Sequence, residues 1–173
     1  VNIKILLANA VSTDTLSTDN RNALLEAMTE EVSDLVLTNN YAQTLTLSLA
    51  EQSAAEDLNA HKRLIHALEA DKFLDRRIEG LPNDDVLSEM EVANQGLTRP
   101  ELAVLLAYAK LRLFEDLTRS DFCLTDDFDT ELKNYFPHRL REEYTAQIEN
   151  HQLRKQIAAT ILSNDTVNDG GIV

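Results

Sequence analysis

The sequence predicts an all-α protein, a multi-helix bundle with one possible strand at its N-terminus. Glycine and proline are scarce, with four and three among 173 residues, and long stretches without them favour helices. Apolar residues recur at helical spacing in most segments between these breaks. The first residues alternate apolar and polar in a way that indicates a strand.

The N-terminal segment VNIKILL (residues 1–7) is rich in β-branched residues and has a period of two, which predicts a strand. A lone strand leaves its backbone N–H and C=O groups unpaired. We therefore expect residues 1–7 to be disordered or to pair outside this chain. On this interpretation residues 1–11 are the tail of an upstream catalytic domain or a linker, and residues 12–173 form a helical C-terminal domain, truncated at its end.

A first helix is predicted after the polar residues 12–20, with an N-cap at Ser17, Thr18 or Asp19. Its apolar face comprises Leu24, Leu25, Met28, Val32, Leu35 and Val36. Residues 39–40, two asparagines, are a possible interruption. Residues 45–49 (LTLSL) alternate like a strand and could pair with residues 1–7, but helical spacing of Tyr41, Leu45 and Leu49 favours a helix.

Capping residues and glycine mark the predicted starts and ends of the central helices. Asn83 caps a short acidic helix that Gly96 is placed to close. It follows a helix with an apolar face of Leu58, His61, Ile65 and Leu68. The string TRPE at residues 98–101 is a capping box with proline in the first turn. The helix after it is apolar nearly all round, so we expect it to be the most buried one.

Further helices are predicted in the C-terminal third. Thr125 is the expected cap of one, which breaks before Pro137. Helical segments follow over residues 138–164, and residues 168–171 (NDGG) are expected to form a loop.

Composition excludes several functions. The net charge of −14 argues against nucleic-acid and anionic-membrane partners, because phosphate groups are repelled. The longest apolar run, residues 102–109, is far shorter than the ~20 residues that span a bilayer. Cys123 is the single cysteine, so no internal disulfide can form, which suits a reducing compartment. We expect a cytoplasmic protein.

Motifs that carry chemistry are missing from the sequence. It contains no GxGxxG turn, no phosphate loop, no HExxH and no paired cysteines. The carboxylates of Asp126, Asp127 and Asp129 suit a helix start better than acid–base catalysis. Tyr108 lies in an apolar helix and is interpreted as core. The four histidines, His61, His66, His138 and His151, are interpreted as structural. We therefore predict that this chain contains no catalytic, cofactor-binding or metal-binding residue.

Several strings in colinear order resemble the large bacterial NAD-specific glutamate dehydrogenases. The longest is GLTRPELAVLLAYAK at residues 96–110. Shorter ones are residues 1–7 and 28–32, with NNYAQ (39–43), YFP (135–137) and HQLR (151–154).

The resemblance implies a helical region that follows the catalytic domain of such an enzyme. The parent would use NAD to convert L-glutamate to 2-oxoglutarate and ammonia, with its catalytic and NAD-binding residues upstream. No cofactor is then expected in this segment. Its partners would be the catalytic domain of the same chain and further copies in a homo-oligomer, and its role structural, subunit-contacting or regulatory. A free-standing helical interaction module that binds a partner in an interhelical groove is the alternative.

Overall fold

A computed structural model describes residues 1–125 and 128–173 of the chain, and the described residues are helical, without strands. The all-α prediction is confirmed. None of these helices is both long and apolar enough to cross a lipid bilayer. The described α-helices are α1 (Asn2–Ser12), α2 (Thr18–Ala27), α3 (Thr29–Ser53), α4 (Leu58–Ala70), α5 (Asp84–Val92), α6 (Arg99–Arg119), α7 (Asp129–Asn134), α8 (His138–Glu143), α9 (Thr145–Glu149) and α10 (Arg154–Gly170), with a 3₁₀ helix at Phe122–Leu124.

The N-terminal segment is helix α1, so the predicted strand is wrong, and so is the expected disorder or foreign pairing. Its backbone groups are satisfied locally, beginning with the N–H of Ile5, which donates to the carbonyl of Val1 at 3.2 Å. Leu6, Leu7 and Ala10 are buried. With Ile3 they follow i, i+3, i+4 and i+7, so one helical face fits the core better than the strand pattern does.

Helix α2 begins as predicted, since the Ser17 side chain caps it by accepting a hydrogen bond from the Asn20 N–H. It ends at Ala27, and α3 starts two residues later. The face predicted to continue from Leu24 is therefore interrupted at Met28, and Leu35 and Val36 are exposed. Beyond this point α3 runs unbroken through residues 39–40 and 45–49, which confirms the helical interpretation of the LTLSL segment.

The chain divides into two compact units. Unit 1 comprises residues 1–39 and 117–161. Its core includes the fully buried side chains of Leu6, Phe136 and Leu140. A hydrogen bond joins the two stretches, since the Asn2 side chain donates to the Tyr135 hydroxyl oxygen at 2.9 Å.

Unit 2 comprises residues 40–116 and 162–173. Its core is formed by side chains of α4 and α6, among them Leu58, Ile65, Leu102 and Leu105. The expectation that α6 is the most buried helix is wrong, because Ala107 and Leu111 are exposed while α4 buries four side chains in thirteen residues. Apolar residues on every side of a helix therefore do not show that other elements of this chain surround it.

Two predicted helix starts are confirmed in unit 2. The Asn83 side chain accepts a hydrogen bond from the Val86 N–H at 2.9 Å. At the start of α6 the Glu101 carboxylate accepts from the Thr98 N–H at 2.6 Å and from the Thr98 hydroxyl at 2.7 Å. Both contacts satisfy groups that a helix terminus leaves free.

Gly96 does not close α5. The residue with positive φ after that helix is Asn94, at 51°. A Cβ atom at Gly96 would instead lie 2.2 Å from the backbone carbonyl carbon of Ala54. Glycine is needed at this position because two backbone segments touch.

Two expectations in the C-terminal third are also corrected. Thr125 does not cap α7, since its hydroxyl donates to the Phe122 carbonyl and Phe128 precedes the first helical residue. Residues 168–170 belong to α10 rather than to a loop. The break before Pro137 is confirmed.

We predict that Gly96→Ala lowers the free energy of unfolding by about 1–3 kcal/mol or more. The reason is that a clash with backbone atoms cannot be relieved by rotating a side chain. Gly170→Ala is the matched control, since its Cβ would meet no atom within 4 Å. Urea denaturation of the chain measures both. Equal midpoints for the two variants would contradict the close approach.

Candidate functional site

Of the four histidines, His61 and His66 belong to unit 2 and His138 and His151 to unit 1. His61 is buried in α4, and His66 on the same helix is exposed, with its Nε2 2.8 Å from Asp84 Oδ1. His138 lies 3.6 Å from Glu142, and His151 is buried in unit 1. Among residues 1–125 and 128–173, no group of three or more His, Cys, Asp or Glu side chains is arranged to hold a metal ion. Asp126 and Asp127 lie outside the described residues.

His151 has a defined tautomer. Its Nδ1 accepts a hydrogen bond from the Leu153 N–H at 3.0 Å, so Nε2 carries the proton and donates to the Asn2 carbonyl at 3.2 Å. Both ring nitrogens are thereby engaged with backbone, which makes this histidine a structural link in unit 1.

The strongest polar cluster of unit 2 is centred on Arg76. Its guanidinium donates to both Glu69 carboxylate oxygens, from Nε at 2.7 Å and from Nη2 at 2.5 Å. Its Nη1 donates to Asp84 Oδ1 at 2.9 Å and to the Pro82 carbonyl at 3.4 Å. The side chain is 13% exposed. This fork connects the end of α4, the loop after it and the start of α5.

The cluster holds its carboxylates ionised. Hydrogen bonding to Arg76, followed by that to His66, lowers the pKa of Asp84 to about 2. Arg76 also lowers the pKa of Glu69, and Glu69 in turn raises the pKa of Arg76. A carboxylate that stays charged at neutral pH and is occupied by a guanidinium is a weak base and no acid. The cluster is therefore suited to holding the α4–α5 connection.

An open groove of about 620 Å³ lies beside this cluster. The Tyr108 hydroxyl at its edge donates to Glu79 Oε1 at 2.6 Å, which raises the pKa of the phenol. Tyr108 is half-buried, with its ring packed against the core as predicted and its hydroxyl at the groove. The groove's remaining walls include Phe73, over whose ring the Arg112 guanidinium lies at 5.3 Å. The Glu69 carboxylate, the Glu79 carboxylate and the Tyr108 hydroxyl at this groove thus have partners within the chain.

Cys123 lies buried in the 3₁₀ helix. Desolvation raises the pKa of its thiol, and nearby Lys155 only partly opposes this. The thiolate is the nucleophilic form, so this cysteine is poorly placed to react.

Sequence reasoning missed the Arg76 cluster. The arginine lies seven residues after Glu69 and eight before Asp84, whereas a pair on one helix face is separated by three or four. The contacts depend on the turn between α4 and α5. Only the position of Arg76, next to Arg77 in the break between α4 and α5, is a signal that the sequence offers.

Two family models match the chain. The model described as "Bacterial NAD-glutamate dehydrogenase, catalytic domain" matches residues 1–50, and the one described as "Glutamate dehydrogenase, C-terminal" matches residues 94–173. The expected division into residues 1–11 and 12–173 stays a prediction.

Curated proteins named "NAD-specific glutamate dehydrogenase" are similar over almost the whole chain. The identity is 44% over 172 residues for the protein of Pseudomonas aeruginosa and 41% over 172 residues for that of Mycobacterium tuberculosis. It is 43% over 173 residues for that of Halomonas elongata. These matches cover 99–100% of the chain, which spans 11% of the length of each relative.

The Arg76 cluster predicts a pH dependence. Because the folded-state pKa of Asp84 is depressed, its contribution to stability is present above the ordinary pKa of Asp, about 4, and is lost as the pH falls towards 2. The urea midpoints of the wild type and Asp84→Asn should therefore differ at pH 6 and converge near pH 2. Asp85→Asn is the control, as Asp85 is not a partner of Arg76. A difference that persists at pH 2 would refute the assignment.

Proposed function

Because the chain belongs to the bacterial NAD-specific glutamate dehydrogenase family, we propose that it is a non-catalytic helical region of such an enzyme. The parent polypeptide oxidises L-glutamate with NAD and water, giving 2-oxoglutarate, ammonia and NADH. The observation that carries the proposal is the match of almost the whole chain to a small part of long relatives with that name.

The state of the polar groups supports a structural role. The carboxylates of Glu69 and Asp84 are held by Arg76, and the Tyr108 hydroxyl is occupied by Glu79. The Cys123 thiol is buried with a raised pKa. These particular groups are thus engaged in internal contacts or buried, and are poorly suited to acid–base or nucleophilic chemistry.

An apolar stripe on α3, formed by Tyr41, Leu45 and Leu49, supports contact with the rest of the enzyme. These side chains are 70%, 46% and 56% exposed and follow one another at i, i+4 on one side of the helix. They lie within residues 1–50, which match the catalytic-domain model. We assign the catalytic domain of the same polypeptide as the occupant of this stripe, since most of the length of the relatives lies outside this chain.

The remaining features of the proposal are cytoplasmic location, assembly into a homo-oligomer, and no nucleic-acid or membrane partner. The net charge of −14 supports the last of these. The lone buried Cys123 is compatible with a reducing compartment.

The chain by itself is predicted to have neither glutamate dehydrogenase activity nor measurable affinity for NAD. The reason is that its sequence lacks the glycine-rich turn that binds a dinucleotide pyrophosphate. Calorimetric titration with NAD and a glutamate-dependent NADH assay provide the measurements. Saturable heat, or turnover above a blank without protein, would overturn the non-catalytic assignment.

The stripe is tested with Leu45→Lys in the full-length enzyme. If Leu45 packs on the catalytic domain, the substitution buries an unpaired charge and should lower the melting temperature and the activity clearly. Val92→Lys is the matched control, because Val92 is 90% exposed and lies outside both matched ranges. An exposed substitution of this kind changes stability by no more than about 0.5 kcal/mol. Equal behaviour of the two variants would show that the stripe is solvent-exposed in the enzyme.

A further inference from the structure

Helix α6 carries an apolar surface that lies away from the core of unit 2. Ala103, Ala107, Leu111 and Phe114 are spaced four, four and three residues apart, so they share one side of the helix. Ala107 is exposed, Leu111 is 55% exposed, and Ala103 and Phe114 are half-buried. None of the four belongs to either described hydrophobic core. We call these four residues the α6 face.

A different side of α6 anchors the helix in unit 2. Leu102, Leu105 and Leu106 are buried on that side, and Ala109 and Leu113 pack against the same core. A helix with one side in the core of a globular protein usually carries polar or charged residues on its other side. The α6 face carries apolar residues instead, so it resembles a surface that another element covers.

The charged residues beside the α6 face are engaged elsewhere. Lys110 Nζ donates to Gln43 Oε1 on α3 at 3.4 Å. Arg112 pairs with Asp71 and, at 3.0 Å, with Asp116. Residues 102–114 contain no Asp or Glu, although the chain has thirty acidic residues. The α6 face is thus an uncharged surface on a strongly acidic chain, and it fits an apolar partner, because a charge buried there would be unpaired.

The two alanines indicate the shape of that partner. Ala103 and Ala107 lie one turn apart, and their short side chains leave a shallow groove beside the larger Leu111 and Phe114. Side chains in rows at i and i+4 are the ridges and grooves by which two helices pack, and small residues at the contact let the two axes approach closely. The α6 face therefore suits the apolar side of another helix.

We propose that the α6 face is covered by a helix from the part of the same polypeptide that lies outside residues 1–173. This inference rests on the proposed function, because it requires the chain to be a region of a longer enzyme. The chain spans 11% of the length of each relative, so most of the polypeptide is available as the occupant. A segment of the same polypeptide also binds without the loss of translational and rotational freedom that a second copy must undergo.

Hydroxyl-radical footprinting of the full-length enzyme tests the cover. Ile78 and Val92, which are 80% and 90% exposed, are the references for Leu111 at 55%. After correction for intrinsic reactivity, an uncovered Leu111 should be oxidised at roughly two thirds of their rate, in proportion to these exposed fractions. A covering helix should make the rate at least about fivefold lower than that, because the core of an interface excludes water. Oxidation in proportion to exposure would overturn the proposal.

Ala107→Leu tests whether a helix packs closely on the alanines. The larger side chain should displace the covering helix and raise the oxidation rate of Leu111 at least about threefold. Ala67→Leu is the matched control, since Ala67 is an exposed alanine on α4, and it should leave that rate unchanged. Equal rates in the two variants would contradict close packing at Ala107. The footprint of the wild-type enzyme decides the question even if Ala107→Leu fails to fold.

Mass photometry of the same variants distinguishes the occupants. If the covering helix belongs to the same polypeptide, Ala107→Leu should expose Leu111 while the mass of the assembly stays that of the wild type. Exposure of Leu111 together with a change to smaller assemblies would overturn this occupant in favour of a second copy. An uncovered Leu111 leaves the non-catalytic assignment intact, because NAD titration and the NADH assay test that assignment separately.

Discussion

The Cβ that position 96 lacks would lie 2.2 Å from the backbone of Ala54, and the packing of unit 2 depends on this contact between backbones. It brings the chain entering α6 against the end of α3, so that Leu97 is buried in the same core as Ala54. Two residues later, Arg99 reaches back to α3 and donates to Glu51 at 2.9 Å. A side chain at position 96 would separate these segments and weaken all of these contacts together.

The excess of acidic residues allows several arginines to bind more than one acidic or polar partner. Thirty carboxylates face sixteen Lys and Arg side chains, so the arginines are shared among acids. Arg76 joins Glu69 and Asp84, Arg112 contacts Asp71 and Asp116, and Arg154 holds Asp129 at 2.6 Å. Partly buried forks of this kind are worth more than exposed pairs. Acidic side chains are thus held by a small number of arginines, most of which connect separate helices or loops.

Three helix starts that depend on neighbouring residues were predictable from the sequence, and contacts between distant residues were not. The caps at Ser17, Asn83 and Thr98 are local hydrogen bonds, and their residue types indicate them directly. Residues 1–7 were assigned to a strand because period two over so short a window also fits a helix, and burial of the α1 face by distant core residues decided the outcome. The Arg76 cluster is likewise made by residues that only the fold brings together.

The matched sequence segments and the compact units divide the chain differently. The catalytic-domain match ends at residue 50 and the C-terminal match begins at residue 94, whereas unit 1 joins residues 1–39 to 117–161 and unit 2 joins residues 40–116 to 162–173. Helix α3 carries residues of the first match into both units. A cut at residue 94 would leave each unit without part of its core, because Leu6 packs in the same core as Ile148 and Leu58 in the same core as Val167. Non-local contacts form only after their loop is closed. Neither unit can therefore complete its core until α10 has been synthesised, so the two matched segments depend on each other to fold.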